Sequence, residues 1–314
     1  MTVNPAEAQN PRNLPVLDGS WERAGRSSTA AAFLGFLIVG VVYFHAQAII
    51  GGILFFINAA GSHTSLHEKT FIEQLTRMTM AMKEPMRIAV FISQVIFMLL
   101  PTLWIVKRWH STNAASYLRF NRIPVFEILL AAAITICVLP LNEYIGEFFA
   151  ERLKIPDFLS RINEQLFTSY SSDELIWLII VVCITPAICE EILFRGYVQR
   201  TLERRLGMKS IFITGVIFGL YHMRPINLLS LVLLGVLFGF FFYRSRSIFP
   251  GMAAHFTNNL LSVLALYRTP DDHPALEIFT YQPTFFGVIA ALCIAGILLT
   301  VFYFYTKRDM VGEW

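Results

Sequence analysis

Two carboxylates and a guanidinium stand together in the run Cys189-Glu190-Glu191-Ile192-Leu193-Phe194-Arg195, inside a stretch that is otherwise apolar. Farther along come Phe218-Gly219-Leu220-Tyr221-His222 and His255-Phe256-Thr257-Asn258-Asn259. An ionisable side chain at membrane depth is expensive, and its presence calls for a reason. On a helix Glu191 and Arg195, four apart, share a face, whereas Glu190 is turned about 100° away. One carboxylate can be held by the arginine while the other points elsewhere. His255 and Asn259, again four apart, stack on one side of their helix.

Hydrolysing a peptide bond takes a water made nucleophilic and a donor that meets the oxyanion as it forms. Glu190 with His222 can hold and deprotonate water, and His255 and Asn259 can donate to the carbonyl oxygen. Two histidines and a glutamate (Glu190, His222, His255) are also a plausible catalytic zinc set. The chain has neither a nucleophilic serine motif nor an HExxH zinc helix, which disfavours the serine and standard zincin routes. Plainer readings compete for each residue. Glu191 with Arg195 reads most simply as an internal ion pair that holds the bundle together, while His222 reads equally as packing at a span end and Asn259 equally as helix-to-helix glue. The isolated His45, Gln94 and Glu143 are read as structural.

These side chains must be carried by helices. Of 314 residues 55% are hydrophobic and only 15% charged, with a mean hydropathy of +0.57. Soluble domains carry roughly a quarter charged residues. Apolar segments long enough to span, about 20 residues each, recur from Ala30 onward. Lipid cannot satisfy free backbone groups, so they must be helices. The fold class is an all-α, polytopic transmembrane helical bundle of about eight spans: Ala32 to Ile57, Met86 to Val106, Val125 to Ile145, Leu175 to Val198, Ser210 to Met223, Leu228 to Tyr243, Ile248 to Tyr267 and Phe285 to Tyr305. The fifth and sixth are short. Gly215 with Gly219, and Gly235 with Gly239, have the spacing that lets helices approach closely in lipid.

Around these spans the chain divides into a polar tail (1–29), N-terminal spans with connectors (30–174), a core carrying the candidate site (175–267), and an acidic loop with a last span (268–314). The tail is expected to be mobile and lacks an apolar stretch that would serve as a cleavable signal core. Connectors 62–85 and 147–172 have apolar residues at near-helical intervals (Phe71, Leu75, Met78, Met82; Phe148, Leu153, Phe158, Ile162, Leu166), as helices lying at the interface would. An even number of spans puts both termini on one side. With the termini in the cytoplasm, 15 Lys and Arg fall on that side and nine on the other, the bias expected of a multi-pass protein of the plasma (inner) membrane. A net charge of +3 gives no basic footprint for nucleic acid. Cys137, Cys183, Cys189 and Cys293 sit in apolar runs without CxxC spacing and read as small core residues.

The three motifs together resemble the CPBP intramembrane peptidases, the family that includes the type II CAAX prenyl endopeptidases. Its pattern, Glu-Glu-x-x-x-Arg, then Phe-x-x-x-His, then His-x-x-x-Asn, stands here in order as Glu190, Glu191 and Arg195, Phe218 and His222, and His255 and Asn259. The resemblance covers about residues 176–266. It implies a glutamate-dependent endopeptidase with its site inside the membrane, open toward the cytoplasmic leaflet. Glu190 and His222 would activate water, His255 and Asn259 would form the oxyanion site, and Glu191, Arg195 and Phe218 would support them. The substrate would be a membrane-associated or lipidated peptide or protein. No cofactor is favoured, because no further ligand candidate stands near the site. Zinc on Glu190, His222 and His255 is the alternative.

The first 85 residues and the Asp271 to Glu277 loop have no counterpart in the family pattern. Two other classes of function compete: a proton- or ion-coupled transporter, since buried Glu and His also make relays, and a non-catalytic peptide-binding or immunity membrane protein. Pro101, Pro140, Pro186 and Pro250 lack the symmetric spacing of a transporter repeat.

Overall fold

A computed structural model describes residues 16–60, 71–153, 167–269, 273–275 and 284–306, and among them every extended element is helical. The helices are α1 (Ser28–Ala60), α2 (residues 71–110), α3 (Val125–Arg152), α4 (Ser172–Leu206), α5 (Lys209–Tyr221), α6 (Leu228–Ser245), α7 (Phe249–Ala265) and α8 (Phe285–Thr306). Each expected span has its helix, and the chain is a multi-pass membrane protein. Six, α1 to α4, α6 and α8, are long and apolar enough to cross a membrane. The other two, α5 with 13 residues and α7 with 17, are shorter than a full crossing. The seventh span therefore falls short of its expected limits at Ile248 and Tyr267. His222 caps the end of α5 and His255 lies within α7, so these two short helices position the histidines of the candidate site.

The connector expected over 62–85 is, from Phe71 onward, the beginning of α2, which continues through Pro85 without ending. Helix α3 likewise runs on to Arg152. Residues 1–15 and 62–70, Phe158, Ile162 and Leu166, the acidic Asp271, Asp272 and Glu277, and Lys307 and Arg308 lie outside the described residues.

Helix α4 is the hub, in contact with α1, α2, α5, α6 and α7, while α3 packs between α7 and α8. It starts at Ser171, whose side chain accepts from the Glu174 N–H at 3.2 Å, the usual way an N-cap satisfies one of the free donors of the first turn. Phe194, Leu193, Tyr197 and Val198 on α4 are fully buried and meet Val39 of α1, Met98 and Ile105 of α2 and Phe218 of α5. By contrast the outward faces of α1 and α8 expose Ile49, Phe56, Phe286 and Ile297, the face that lipid would cover. Cys183 and Cys189 are buried, as expected of core residues, but Cys293 of α8 is exposed.

Helices α5 and α6 form an antiparallel hairpin held at backbone distance. A Cβ added to Gly235 would lie 2.9 Å from both Cα and O of Gly215, and one on Gly219 would meet the Val232 backbone nitrogen at 3.1 Å. The glycine spacing thus marks a real close approach, which fixes α5 against α6 and sets the position of His222 at the end of α5.

One end of the bundle gathers buried charge. Arg119 forks onto Glu203 at 2.9 and 2.7 Å, and Arg246 also donates to Glu203. These groups come from the α2–α3 connection, the end of α4 and the α6–α7 connection, which the alternation of spans places on one side. Burial lowers the pKa of Arg119 to about 10, against the pull of Glu203. The described part of the tail, from residue 16, is anchored at the same end rather than loose. Glu22 accepts from Arg204 at 2.5 and 2.9 Å and from His110 at 2.6 Å, Asp18 accepts from Thr112, and Trp21 stacks on Trp109.

Replacing Gly235 with Ala should destabilise the protein by about 1–3 kcal/mol through overpacking, seen as a lower unfolding midpoint in detergent. The tail clamp should also depend on pH. Burial works to raise the Glu22 pKa, but the hydrogen bonds from Arg204 and His110 outweigh it and leave it below the ordinary glutamate value. A carboxylate lowered on folding contributes stability above its unfolded pKa and loses it as pH falls through the folded one. Protection of the amides of residues 18–26, measured against their intrinsic exchange rates, should therefore fall at pH below the ordinary glutamate range, and Glu22→Gln should lower it already at neutral pH.

Candidate active site

The middle of α4 is irregular. Wide, π-helical turns at Ile179–Ile184 and Ile192–Gln199 flank the regular turn Thr185–Glu191, and such turns within α-helices frequently occur at functional sites. Pro186 has no N–H and cannot donate to the carbonyl four residues back, that of Val182. That carbonyl accepts from Asn259 Nδ2 of α7 at 2.7 Å. The Asn259 amide is oriented by Asn258, whose Nδ2 donates to its Oδ1 at 3.0 Å. In this arrangement Asn259 ties α7 to α4, and its donor is engaged there.

The adjacent carboxylates have different surroundings. Glu191 is fully buried, with Oε1 accepting from Arg195 Nη1 at 2.7 Å and from His255 Nδ1 at 2.9 Å. Arg195, also fully buried, donates from Nη2 to the Gly235 carbonyl at 3.1 Å, and its guanidinium lies 4.5 Å from the Phe218 ring centroid and 5.3 Å from that of Phe238. Gly251 gives Glu191 its room, since a Cβ there would sit 2.8 Å from Glu191 Oε2. Four helices are tied together by this one ion pair and its partners.

Among the described residues, Glu190 has no lysine or arginine within hydrogen-bonding reach. Its Oε1 accepts from Gln94 Nε2 of α2 at 3.0 Å. Its Oε2 has no hydrogen-bond partner and lies 3.7 Å from His222 Nε2 and 4.0 Å from His255 Nε2. The ring orientations are fixed from behind. His222 donates from Nδ1 to the Phe218 carbonyl at 2.8 Å and His255 from Nδ1 to Glu191, leaving both Nε2 atoms on the Glu190 side. The Phe218 ring packs against both, 4.6 Å from the His222 ring centroid and 5.8 Å from that of His255.

The structure therefore brings Glu190, His222 and His255 around one point, supported by Glu191, Arg195 and Phe218. Asn259 is bound to the same stretch of α4 but is directed at Val182. Counting residues at 1.5 Å each puts Glu190 about 15 Å from Arg200 and His222 about 20 Å from Lys209; the side chains meet despite that difference. Gln94, read from sequence as structural, touches the site. No local signal marks it, because its contact is made across 96 positions of the chain. His45 bonds to the Val41 carbonyl of its own helix and Glu143 is exposed, in keeping with structural readings.

The donor types and tethered imidazoles are those of a zinc site, in which the second ring nitrogen commonly donates to a carboxylate or carbonyl. Among the described residues, however, no set of three is close enough to stand as a preassembled metal centre. Ligands about 2.0–2.1 Å from a tetrahedral zinc would need Glu190 Oε2 to stand closer to both imidazole nitrogens than the 3.7 and 4.0 Å seen here.

Residues 172–261 match the family described as Type II CAAX prenyl endopeptidase Rce1-like. This segment resembles that family over 90 of the 314 residues. It spans α4 to most of α7 and so contains Glu190, His222, His255 and Asn259, whereas α1, α2, α3 and α8 lie outside it. The family is one of endopeptidases, the class that the motif resemblance implied. No curated protein and no solved structure matches the chain.

Removing one partner from the buried pair within the Rce1-like segment should be severe. Arg195→Met leaves Glu191 as an uncompensated buried charge and should cost about 3–5 kcal/mol. The double variant Glu191→Gln with Arg195→Met should recover part of that loss. A double-mutant cycle on unfolding free energies in detergent measures the coupling.

Proposed function

We propose that this chain is an intramembrane endopeptidase of glutamic type that hydrolyses a peptide bond in a membrane-associated or lipidated protein. The observation that carries this reading is the unpartnered Glu190 Oε2 facing both imidazole Nε2 atoms, at 3.7 and 4.0 Å. The 3.7 Å separation is compatible with one water bonded to both Glu190 and His222 after no more than a small displacement.

In this mechanism the water donates one proton to Glu190 and is oriented by His222 Nε2, whose Nδ1–H is fixed on the Phe218 carbonyl. Attack on the substrate carbonyl transfers the proton to Glu190 Oε2 and places negative charge on the carbonyl oxygen. His255, its Nδ1 held by Glu191, donates from a protonated Nε2 to that oxyanion, a preorganised contact of the kind that typically supplies the largest part of the barrier reduction. Asn259 joins it by exchanging its bond to Val182 for one to the substrate oxygen. Glu190 then returns its proton to the leaving amine as the C–N bond breaks. If zinc is bound, Glu190, His222 and His255 hold it, and it would make the water more acidic and polarise the carbonyl.

The excess of Lys and Arg beside the N-terminal side of the spans supports termini in the cytoplasm and a site approached from that leaflet. The family description supports a prenylated C-terminal peptide as substrate. Purified protein is expected to cleave a fluorogenic farnesylated CAAX peptide, and the same peptide without the farnesyl group more slowly. Glu190→Gln should remain folded and lose cleavage by at least about 10³-fold, the scale on which a paired base and oxyanion site contribute. Cleavage at the wild-type rate in that variant would falsify the mechanism; an intact but bound peptide in the wild type would favour a binding protein instead.

A further inference from the structure

We propose that Gln94 of α2 is a positioning residue for Glu190, so that the helices outside the Rce1-like segment supply part of the working site. The inference rests on the reading of Glu190 as the base. Gln94 is 3% exposed and lies in the π-helical stretch Ser93–Leu99 that packs on α4. Its amide donates to one Glu190 oxygen at 3.0 Å, and the other oxygen faces His222 at 3.7 Å and His255 at 4.0 Å.

The last torsion of a glutamate is broad and has no strong preferred value. Fixing one oxygen therefore decides where the second one points. The groups bonded to or ranged against Glu190 are Gln94 from α2, His222 at the end of α5 and His255 from α7, with the phenols of Tyr43 on α1 and Tyr221 on α5 near enough to act on its charge. Neither imidazole is within hydrogen-bonding distance, so among the first three Gln94 holds the carboxylate. A neutral amide suits this role, because it orients the carboxylate without adding a counter-charge. Glu191, one residue on, has Arg195 instead and is committed to an ion pair.

Gln94→Leu keeps the approximate volume and removes the donor. It should lower kcat by about 10- to 100-fold, the usual scale for partners that orient an active group, with KM little changed. Gln94→Glu provides a donor only when protonated, and as a carboxylate it repels Glu190. Its activity relative to wild type on the farnesylated peptide should therefore rise as pH falls, a response that loss of packing alone would not produce. If Gln94→Leu fails to fold, the Gln94→Glu ratio decides. A flat ratio, or a folded Gln94→Leu protein with the wild-type kcat while Glu190→Gln is inactive, overturns the role of Gln94 alone. Activity surviving in Glu190→Gln overturns the reading beneath it.

Discussion

The site depends on a buried charge that is never left alone. Glu191 and Arg195 are both fully buried, and either one without the other would face a desolvation cost of several kcal/mol. What makes the pair tolerable is the number of additional contacts. His255 donates to the same Glu191 oxygen, the Gly235 carbonyl accepts from Arg195, and Phe218 and Phe238 present ring faces to the guanidinium. Satisfying one ion pair thereby fixes α4, α5, α6 and α7 relative to one another. The glycines belong to the same requirement: Gly251 leaves room for the carboxylate, and Gly215 against Gly235 brings the α5–α6 hairpin close enough for its carbonyl and rings to reach Arg195.

That arrangement explains why so much was legible in the sequence. Glu191 with Arg195, and Phe218 with His222, are four-residue relations inside single helices, and each makes a local contact in the structure: an ion pair in one, and a ring contact with a backbone hydrogen bond in the other. His255 and Asn259 share a helix face and bond to two points on α4, Glu191 and Val182. Spans were legible for the same reason, since hydrocarbon imposes long apolar helices on the chain that crosses it.

Features that depend on distant partners were not legible. Gln94 is one polar residue in an apolar span and becomes part of the site only because α2 lies against α4. Trp21 and Glu22 read as part of a mobile polar segment until Arg204, His110 and Trp109 meet them. The type of Asn259 marks a donor but not its partner in the structure, the carbonyl freed by Pro186 and lying 77 positions away. The relation between a proline on one helix and an amide on another has no periodicity to reveal it.

Neighbouring carboxylates on one turn would repel if both stood in the same surroundings. The helix separates them by about 100° of rotation, and the bundle then treats them oppositely. Glu191 points toward cationic and aromatic partners that leave it little freedom. Glu190 points toward α2 and the two imidazoles, where a neutral amide holds one oxygen and the other is presented to the space between the rings. The second surroundings presuppose the first, because His255 can face Glu190 with Nε2 only while Nδ1 is held by Glu191. A reactive group in lipid thus requires a committed neighbour: the carboxylate that is fully paired orients the ring that the partly paired one needs.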